Sequence, residues 1–244
     1  MTNTAAQGTI YLIPTLLGGD DVARCIPAYN IGIIRGLSHF VVEELRTARR
    51  FLRKIDPSFP IDRCTFHELN EHTQTLDSRL LLAPVEAGDS IGIMSEAGLP
   101  CIADPGAELV AAAQERNIRV VPLIGPSSIF SALMASGLCG QRFSFHGYLP
   151  REKDELLRKI RHMEGDSARD NAAQIFMDTP YRNNQLWELL LQSCQDDTRL
   201  CVAANITLEN EYIVTKTVRM INSMISTVLP TPAPPNKPIL PPFI

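Results

Sequence analysis

The segment Ile91–Ser128 constrains the fold more than any other part of the chain. It contains two short apolar runs, Ile91–Met94 and Ile118–Leu123, which are too short for helices and predict buried strands. The Ala-rich stretch between them, Glu108–Arg116, predicts a helix. Strand, helix and strand in this order indicate a parallel βαβ crossover, and open α/β sheets bind ligands at the carboxyl ends of such strands.

Turn-forming residues follow both predicted strands. Ser95–Pro100 and Asp104–Gly106 come after the first strand, and Gly125–Ser128 comes after the second. Each Gly or Pro here has two interpretations: it turns the chain, or it lets a ligand approach the backbone closely. Their combination at two neighbouring strand ends favours a binding site at this edge of the sheet.

Composition narrows the class of protein. The 244 residues are 45% hydrophobic and carry a net charge of −4, so any binding to nucleic acid has to rest on local basic patches. Six cysteines stand singly, which predicts reduced thiols and a cytoplasmic protein. No His/Cys/Asp cluster has zinc spacing, so we expect no metal. No apolar run approaches the roughly 18 residues of a membrane span, and the first residues are too polar for a signal peptide.

The pattern changes after the second predicted strand. Arg142–Tyr148 alternates like a half-exposed strand, and helices at Asp154–Glu164 and Tyr181–Ser193 and a hairpin strand at Glu211–Thr217 follow. We therefore expect two α/β domains, a mostly parallel Rossmann-like sheet with flanking helices in residues 1–124 and a mixed sheet in residues 125–244. The ligand cleft is expected between them. The Pro-rich end, Pro230–Ile244, predicts an extended linker.

Charged residues cluster after the predicted strand at Phe40–Val42. Glu43 and Glu44 either take part in proton transfer or favour a helix N-terminus through its dipole, and both interpretations stay open. A basic stripe then follows on one helix face. Such a stripe is either solvated surface or a face that contacts phosphates, and its members are Arg46, Arg49, Arg50, Arg53 and Lys54.

The loop motifs together resemble the tetrapyrrole methylase family of S-adenosylmethionine-dependent methyltransferases. Ser95–Pro100, Asp104–Gly106 and Ile124–Ser127 are most similar to the branch that methylates a cytidine ribose 2′-hydroxyl in small-subunit ribosomal RNA. Phe145–Pro150 and Asp178–Arg182 also resemble that branch.

Several positions depart from this branch. Glu96 and Ile124 replace its usual Asp and Pro, only Pro14 and Gly18 match its first loop, and Asn205 stands where it has a carboxylate. Methylation of a small tetrapyrrole therefore stays open as an alternative, and a cofactor-binding protein without catalysis is a second one.

The resemblance implies a cofactor, a substrate and the residues that hold them. S-adenosylmethionine is expected between the domains, with ribosomal RNA or the small ribosomal subunit as the partner and a homodimer formed through the C-terminal domain. The implied cofactor-binding residues are Gly18, Ser95, Glu96, Ala97, Gly98, Gly125, Pro126 and Ser127. The catalytic candidates are Glu43, Glu44 and Arg46, and the substrate-binding candidates are Arg46, Arg49, Arg53 and Arg182.

Overall fold

The chain divides into two compact units, Met1–Ser127 and Ser128–Ile244. The computed structural model describes residues 7–70 and 78–228. The boundary predicted between residues 124 and 125 lies three residues before the boundary between these units. Gly125, Pro126 and Ser127 therefore belong to the first unit. The roles assigned to the two domains stay predictions.

The first unit alternates strands and helices around one parallel sheet, as predicted. Its sheet has the order β3-β2-β4-β1-β5, and every pairing is parallel. The elements are β1 (Thr9–Ile13), α1 (Val22–Cys25), α2 (Ala28–Ile34), β2 (His39–Val42), α3 (Leu45–Ile55), a 3₁₀ turn (Ile61–Arg63), β3 (Thr65–Glu68), α4 (Ser78–Glu86), β4 (Ile91–Met94), α5 (Ala107–Glu115) and β5 (Arg119–Pro122).

Helices cover both faces of this sheet, which explains why its three central strands, β2, β4 and β1, are mainly apolar. All four residues of β4 are buried. Met94 packs into one hydrophobic core, whereas Ile91 and Ile93 pack into another. Successive side chains of a strand point to opposite faces, so the two cores lie on the two sides of the sheet. At Gly92 a Cβ atom would lie 2.5 Å from Ile13 Cδ1, so any larger residue would require the Ile13 side chain to shift.

The second unit contains two separate strand pairs among its described residues. β6 and β7 pair in parallel, and β8 and β9 form the predicted antiparallel hairpin, so both pairing directions of the expected mixed sheet occur. The elements are α6 (Ser128–Ser136), β6 (Phe143–Tyr148), α7 (Lys153–Asp170), β7 (Ala173–Met177), a 3₁₀ turn (Pro180–Arg182), α8 (Asn183–Ser193), β8 (Arg199–Ala204), β9 (Tyr212–Thr217) and α9 (Val218–Val228).

Some boundaries differ from those predicted. α7 continues past the predicted end at Glu164 because Gly165 is tolerated inside the helix, which ends where Asn171 adopts a left-handed conformation. Its apolar face packs against α8 in a core that includes Leu156 and Ile160. The start of the helix predicted from Thr75, and the Pro-rich end, lie outside the described residues.

No helix within the described ranges is both long enough and apolar enough to pass through a membrane.

Candidate functional site

Four loops of the first unit leave the sheet at the same edge. They follow β2, β4, β1 and β5, which are neighbours in the sheet in this order. Because all pairings are parallel, the carboxyl ends of these strands meet at one edge. The loops after β4 and β5 carry the Gly and Pro motifs of the sequence, so the fold brings these motifs together.

Buried Thr15 holds the loop after β1 against the loop after β4. Its backbone N–H donates to Gly98 O at 2.9 Å, and its hydroxyl donates to Ser95 O at 3.3 Å. Thr15 is only 3% exposed. The two hydrogen bonds fix the path of the Ser95–Gly98 backbone relative to the first strand.

Three of the loops meet at Gly98. Its φ is +78°, in the region that favours glycine. A Cβ atom there would lie 3.1 Å from Leu17 Cδ2 in the loop after β1 and 3.6 Å from Pro126 O in the loop after β5. The Gly98 backbone, Pro126 O and the Leu17 side chain thus form a backbone cradle with one apolar side chain, and such a cradle suits a ligand held by main-chain groups.

The loop after β5 is held by two further contacts. A Cβ atom at Gly125 would lie 2.3 Å from Pro14 Cβ, so this glycine packs flat against the end of the first strand. Asn30 on α2 is 1% exposed, and its side-chain amide donates to Ile124 O at 2.8 Å. These contacts set the position of Pro126 beside Gly98.

Three residues in the remainder of the loop after β4 have positive φ angles. Cys101 and Ala103 have φ values of +67° and +65°, and Gly106 has +119°. Non-glycine residues in this region are uncommon and strained, and such residues cluster at functional sites. Asp104 lies between them, so its direction is set by a constrained segment.

The two acidic catalytic candidates, Glu43 and Glu44, have different contacts. Glu44 caps α3, because its carboxylate accepts from the backbone N–H groups of Arg46 at 2.9 Å and Thr47 at 2.6 Å. These hydrogen bonds lower the pKa of Glu44. Glu43 reaches the neighbouring loop, where its Oε2 accepts from Glu96 N at 3.0 Å.

Carboxyl groups crowd this part of the edge. Burial, followed by the charges of Glu43 and Glu44, raises the pKa of Glu96. Burial, with Glu43 as the next largest cause, raises the pKa of Asp104 to about 6. Asp104 is therefore poised to change its protonation near neutral pH, which is the property required of a general acid or base. The described residues contain no group of His, Cys, Asp and Glu side chains arranged to hold a metal ion.

The basic stripe lines an open groove of about 710 Å³ along α3. The other residues that line this groove are Glu44, Leu45, Ile61 and Glu68. Arg49 lies over the Phe66 ring, 5.4 Å from its centroid. Arg53 donates to Pro57 O at 2.7 Å. Lys54 pairs with Asp20 at 2.5 Å and donates to Gly19 O at 3.1 Å, which ties α3 to the loop that carries Gly18.

Arg182 belongs to the second unit, where its guanidinium already has several partners. It donates to Leu149 O at 3.2 Å and to Pro150 O at 2.7 Å, and it lies 3.5 Å from the buried Asp178 carboxylate. The Asp178 side chain is 1% exposed. These contacts join the ends of β6 and β7 within the second unit.

The structure thus brings most of the predicted residues to one edge of the first unit, and their roles stay predictions. Thr15, Asn30 and Asp104 were not among the predicted site residues. Thr15 and Asn30 act through contacts distant in sequence, which no local motif reveals. Asp104 had a signal, because the Asp104–Gly106 turn follows the predicted cofactor loop directly.

Comparison with known proteins gives the family. The profile of the family described as tetrapyrrole (corrin/porphyrin) methylases matches residues 31–222. The match begins after β1, so the divergent loop with Gly18 lies outside it. A crystal structure of the methyltransferase CobJ shares the fold with a TM-score of 0.56 at 16% identity, over 88% of this chain and 87% of that chain.

Curated relatives carry the name ribosomal RNA small subunit methyltransferase I. The protein of this name from Synechocystis sp. is 34% identical over 65% of this chain and 55% of its own length. The one from Vibrio cholerae is 30% identical over 84% of this chain and 67% of its own length. This chain therefore spans little more than half of the first relative. Because the family profile covers well over half of the chain, the protein belongs to the tetrapyrrole methylase family.

Proposed function

We propose that the protein is an S-adenosylmethionine-dependent methyltransferase that acts on a ribose 2′-hydroxyl of small-subunit ribosomal RNA. The observation that carries the proposal is the backbone cradle at Gly98, where the loops after β1, β4 and β5 converge. Membership of a methylase family and the names of the curated relatives support it.

The residues at the cradle fit this cofactor. Main-chain groups of Ser95, Ala97 and Gly98 would hold it, and Gly18, Glu96 and the loop Gly125–Ser127 would complete the pocket. S-adenosylmethionine supplies a methyl group that its sulfonium has already activated. The protein then has to place the acceptor in line with it, and positioning contributes up to roughly 7–11 kcal/mol in favourable cases.

The groove along α3 supports an RNA substrate. Arg46, Arg49, Arg50 and Arg53 are exposed in a chain whose net charge is −4, so this groove concentrates positive charge on one face. The loop that starts α3 also carries Glu43 and Glu44 at the carboxyl edge of the sheet. An RNA backbone bound along the groove would therefore pass close to the candidate site.

Replacing Arg49 and Arg53 by Ala tests the groove. Each phosphate contact contributes about 0.7 to the slope of log affinity against log salt for single-stranded RNA, so we expect the double variant to flatten this slope by about 1 or more. The measurement is a titration of ribosomal RNA at several salt concentrations. Cofactor affinity should not change.

The control for this double variant also removes two arginines, but at the opposite edge of the sheet. Arg119 starts β5 and Arg116 lies just before it, at the amino end of the strand. Arg116→Ala with Arg119→Ala should leave the salt slope unaltered. Equal slopes for wild type and both double variants would remove the groove from the RNA site and favour a small tetrapyrrole as the substrate.

We infer from the family resemblance that the protein works in the cytoplasm as a homodimer. Exposed apolar side chains in the second unit support the dimer: Phe130 and Met134 on α6 are 48% and 84% exposed, and Phe143 beside them is 40% exposed. Sedimentation at micromolar concentration should give the mass of two chains. A single-chain mass would contradict the dimer.

A further inference from the structure

A buried hydroxyl without a hydrogen bond lies beside Asp104. Ser95 is 6% exposed, and its hydroxyl faces the Asp104 carboxyl. Within the described residues, however, the Ser95 Oγ atom makes no hydrogen bond of normal geometry. A buried hydroxyl left without a partner costs free energy, so this atom is placed to gain a partner from a bound molecule.

The surroundings of Asp104 are negative or neutral. Glu43 faces it from the end of β2, and Glu96, Ser95 and Cys101 face it from its own loop. Burial and the charges of Glu43 and Glu96 raise the pKa of Asp104, and together they outweigh the Ser95 hydroxyl, which faces the carboxyl and lowers this pKa. The pKa of Cys101 is raised to about 11 by burial and by Asp104, so this thiol stays neutral when Asp104 titrates.

Ser95 and Asp104 together present one donor and one proton acceptor. The group that matches both is a hydroxyl, because its oxygen accepts from Ser95 while its hydrogen is donated to the Asp104 carboxylate. A ring carbon of a conjugated macrocycle has no lone pair for Ser95 and no hydroxyl proton for Asp104. The pair therefore discriminates between the two classes of methyl acceptor.

We propose that Ser95 and Asp104 bind the hydroxyl group that receives the methyl, with Ser95 orienting its oxygen and Asp104 taking its proton. This inference rests on the proposed function and assigns the proton acceptor that the proposed function leaves open. It also replaces Glu44 as a candidate base, since both Glu44 carboxylate oxygens are engaged at the N-terminus of α3.

The step balances in atoms and charge. The hydroxyl oxygen forms a bond to the methyl carbon as the bond between that carbon and the sulfonium sulfur breaks, and the electron pair of the broken bond stays on sulfur. The hydroxyl proton moves to an oxygen of Asp104. The positive sulfonium and the negative carboxylate become a neutral thioether and a neutral acid, so no further reactant is required.

The experiment compares Asp104→Asn with wild type in kcat/KM across pH. General base catalysis typically contributes about 100-fold or more, so we expect kcat/KM of the variant to fall by that factor. In wild type, kcat/KM should rise with pH through about 6 and then level off, because Asp104 acts only when ionised. The variant should lose this rise. Glu115→Gln removes one carboxylate from the exposed far end of α5 and is the control that keeps wild-type kinetics.

Two further measurements do not depend on turnover. NMR titration of the Asp104 carboxyl in the free protein should show ionisation near pH 6, and Glu43→Gln should move it to lower pH because a nearby negative charge is lost. Calorimetry should show that Asp104→Asn binds S-adenosylmethionine as wild type does, which also reports that the variant is folded.

The outcomes separate the two claims. Wild type that methylates RNA while Asp104→Asn keeps the same rate and the same pH profile overturns the inference and leaves the proposed function standing. An Asp104 carboxyl that titrates at its ordinary value also overturns the inference. Wild type that binds the cofactor but transfers no methyl to RNA overturns the proposed function.

Discussion

Gly98→Val is expected to weaken the binding of S-adenosylmethionine by tenfold or more, which corresponds to about 1.4 kcal/mol. The valine would occupy a position with φ of +78°, which β-branched residues avoid. Its Cβ atom would lie 3.1 Å from Leu17 Cδ2 and 3.6 Å from Pro126 O, so the valine would displace the Leu17 side chain and occupy space between the loops. Calorimetric titration of the cofactor gives the affinity directly.

A valine at a second glycine, Gly137, is the control for the effect of backbone strain alone. Gly137 has a φ of +67°, and no heavy atom lies within 4 Å of its Cβ position, so Gly137→Val introduces similar strain without the contact. We expect this variant to lose stability and to keep the cofactor affinity. If Gly98→Val is folded and binds the cofactor as wild type does, the loop Ser95–Pro100 is not part of the cofactor site.

Arg182→Ala is expected to destabilise the second unit by about 3–5 kcal/mol, because it leaves the buried Asp178 carboxylate without its counter-charge. It also removes the donors to Leu149 O and Pro150 O at the end of β6. The chain's single tryptophan, Trp187, lies on α8 in this unit, so urea denaturation followed by its fluorescence reports this unit specifically.

An exposed ion pair in the same unit provides the comparison. Arg219 and Asp196 are 73% and 64% exposed, and such surface pairs contribute about 0–1 kcal/mol, so Arg219→Ala should have a small effect. Removing Asp178 together with Arg182 should recover part of the stability, since no buried charge is then left alone. A stable Arg182→Ala protein with weakened RNA binding would instead assign Arg182 to the substrate.

The first unit was largely predictable because its signals are local. Four of its strands, β1, β2, β4 and β5, contain a short apolar run, whereas β3 contains none and was not predicted. The glycines and prolines that shape the site directly follow two of these runs. The groove could also be anticipated, because the spacing of Arg46, Arg49, Arg50 and Arg53 puts them on one helix face. Such features depend only on residues that are close together in the sequence.

The contacts that hold the loops in place were not predictable in this way. Thr15 bonds a residue 80 positions away, and Asn30 bonds one 94 positions away. Neither side chain belongs to a motif, and a buried Thr or Asn cannot be distinguished from an exposed one in a single sequence. The length of α7 was misjudged for a different reason, because Gly165 is a local signal for a helix end and yet the helix continues to Asp170. The ion pair between Asp166 and Arg169, three residues apart, lies in this last part of the helix.

Methyl transfer to a ribose hydroxyl of ribosomal RNA can be measured directly. The purified protein is incubated with S-adenosylmethionine that carries an isotopically labelled methyl group. The substrate is unmethylated small-subunit ribosomal RNA or the assembled subunit. Mass spectrometry of the released nucleosides then locates the label. We predict a labelled 2′-O-methylcytidine that forms about 100-fold more slowly when Asp104→Asn replaces wild type. Label on a base, or no label in the RNA while a small tetrapyrrole becomes methylated, would contradict it.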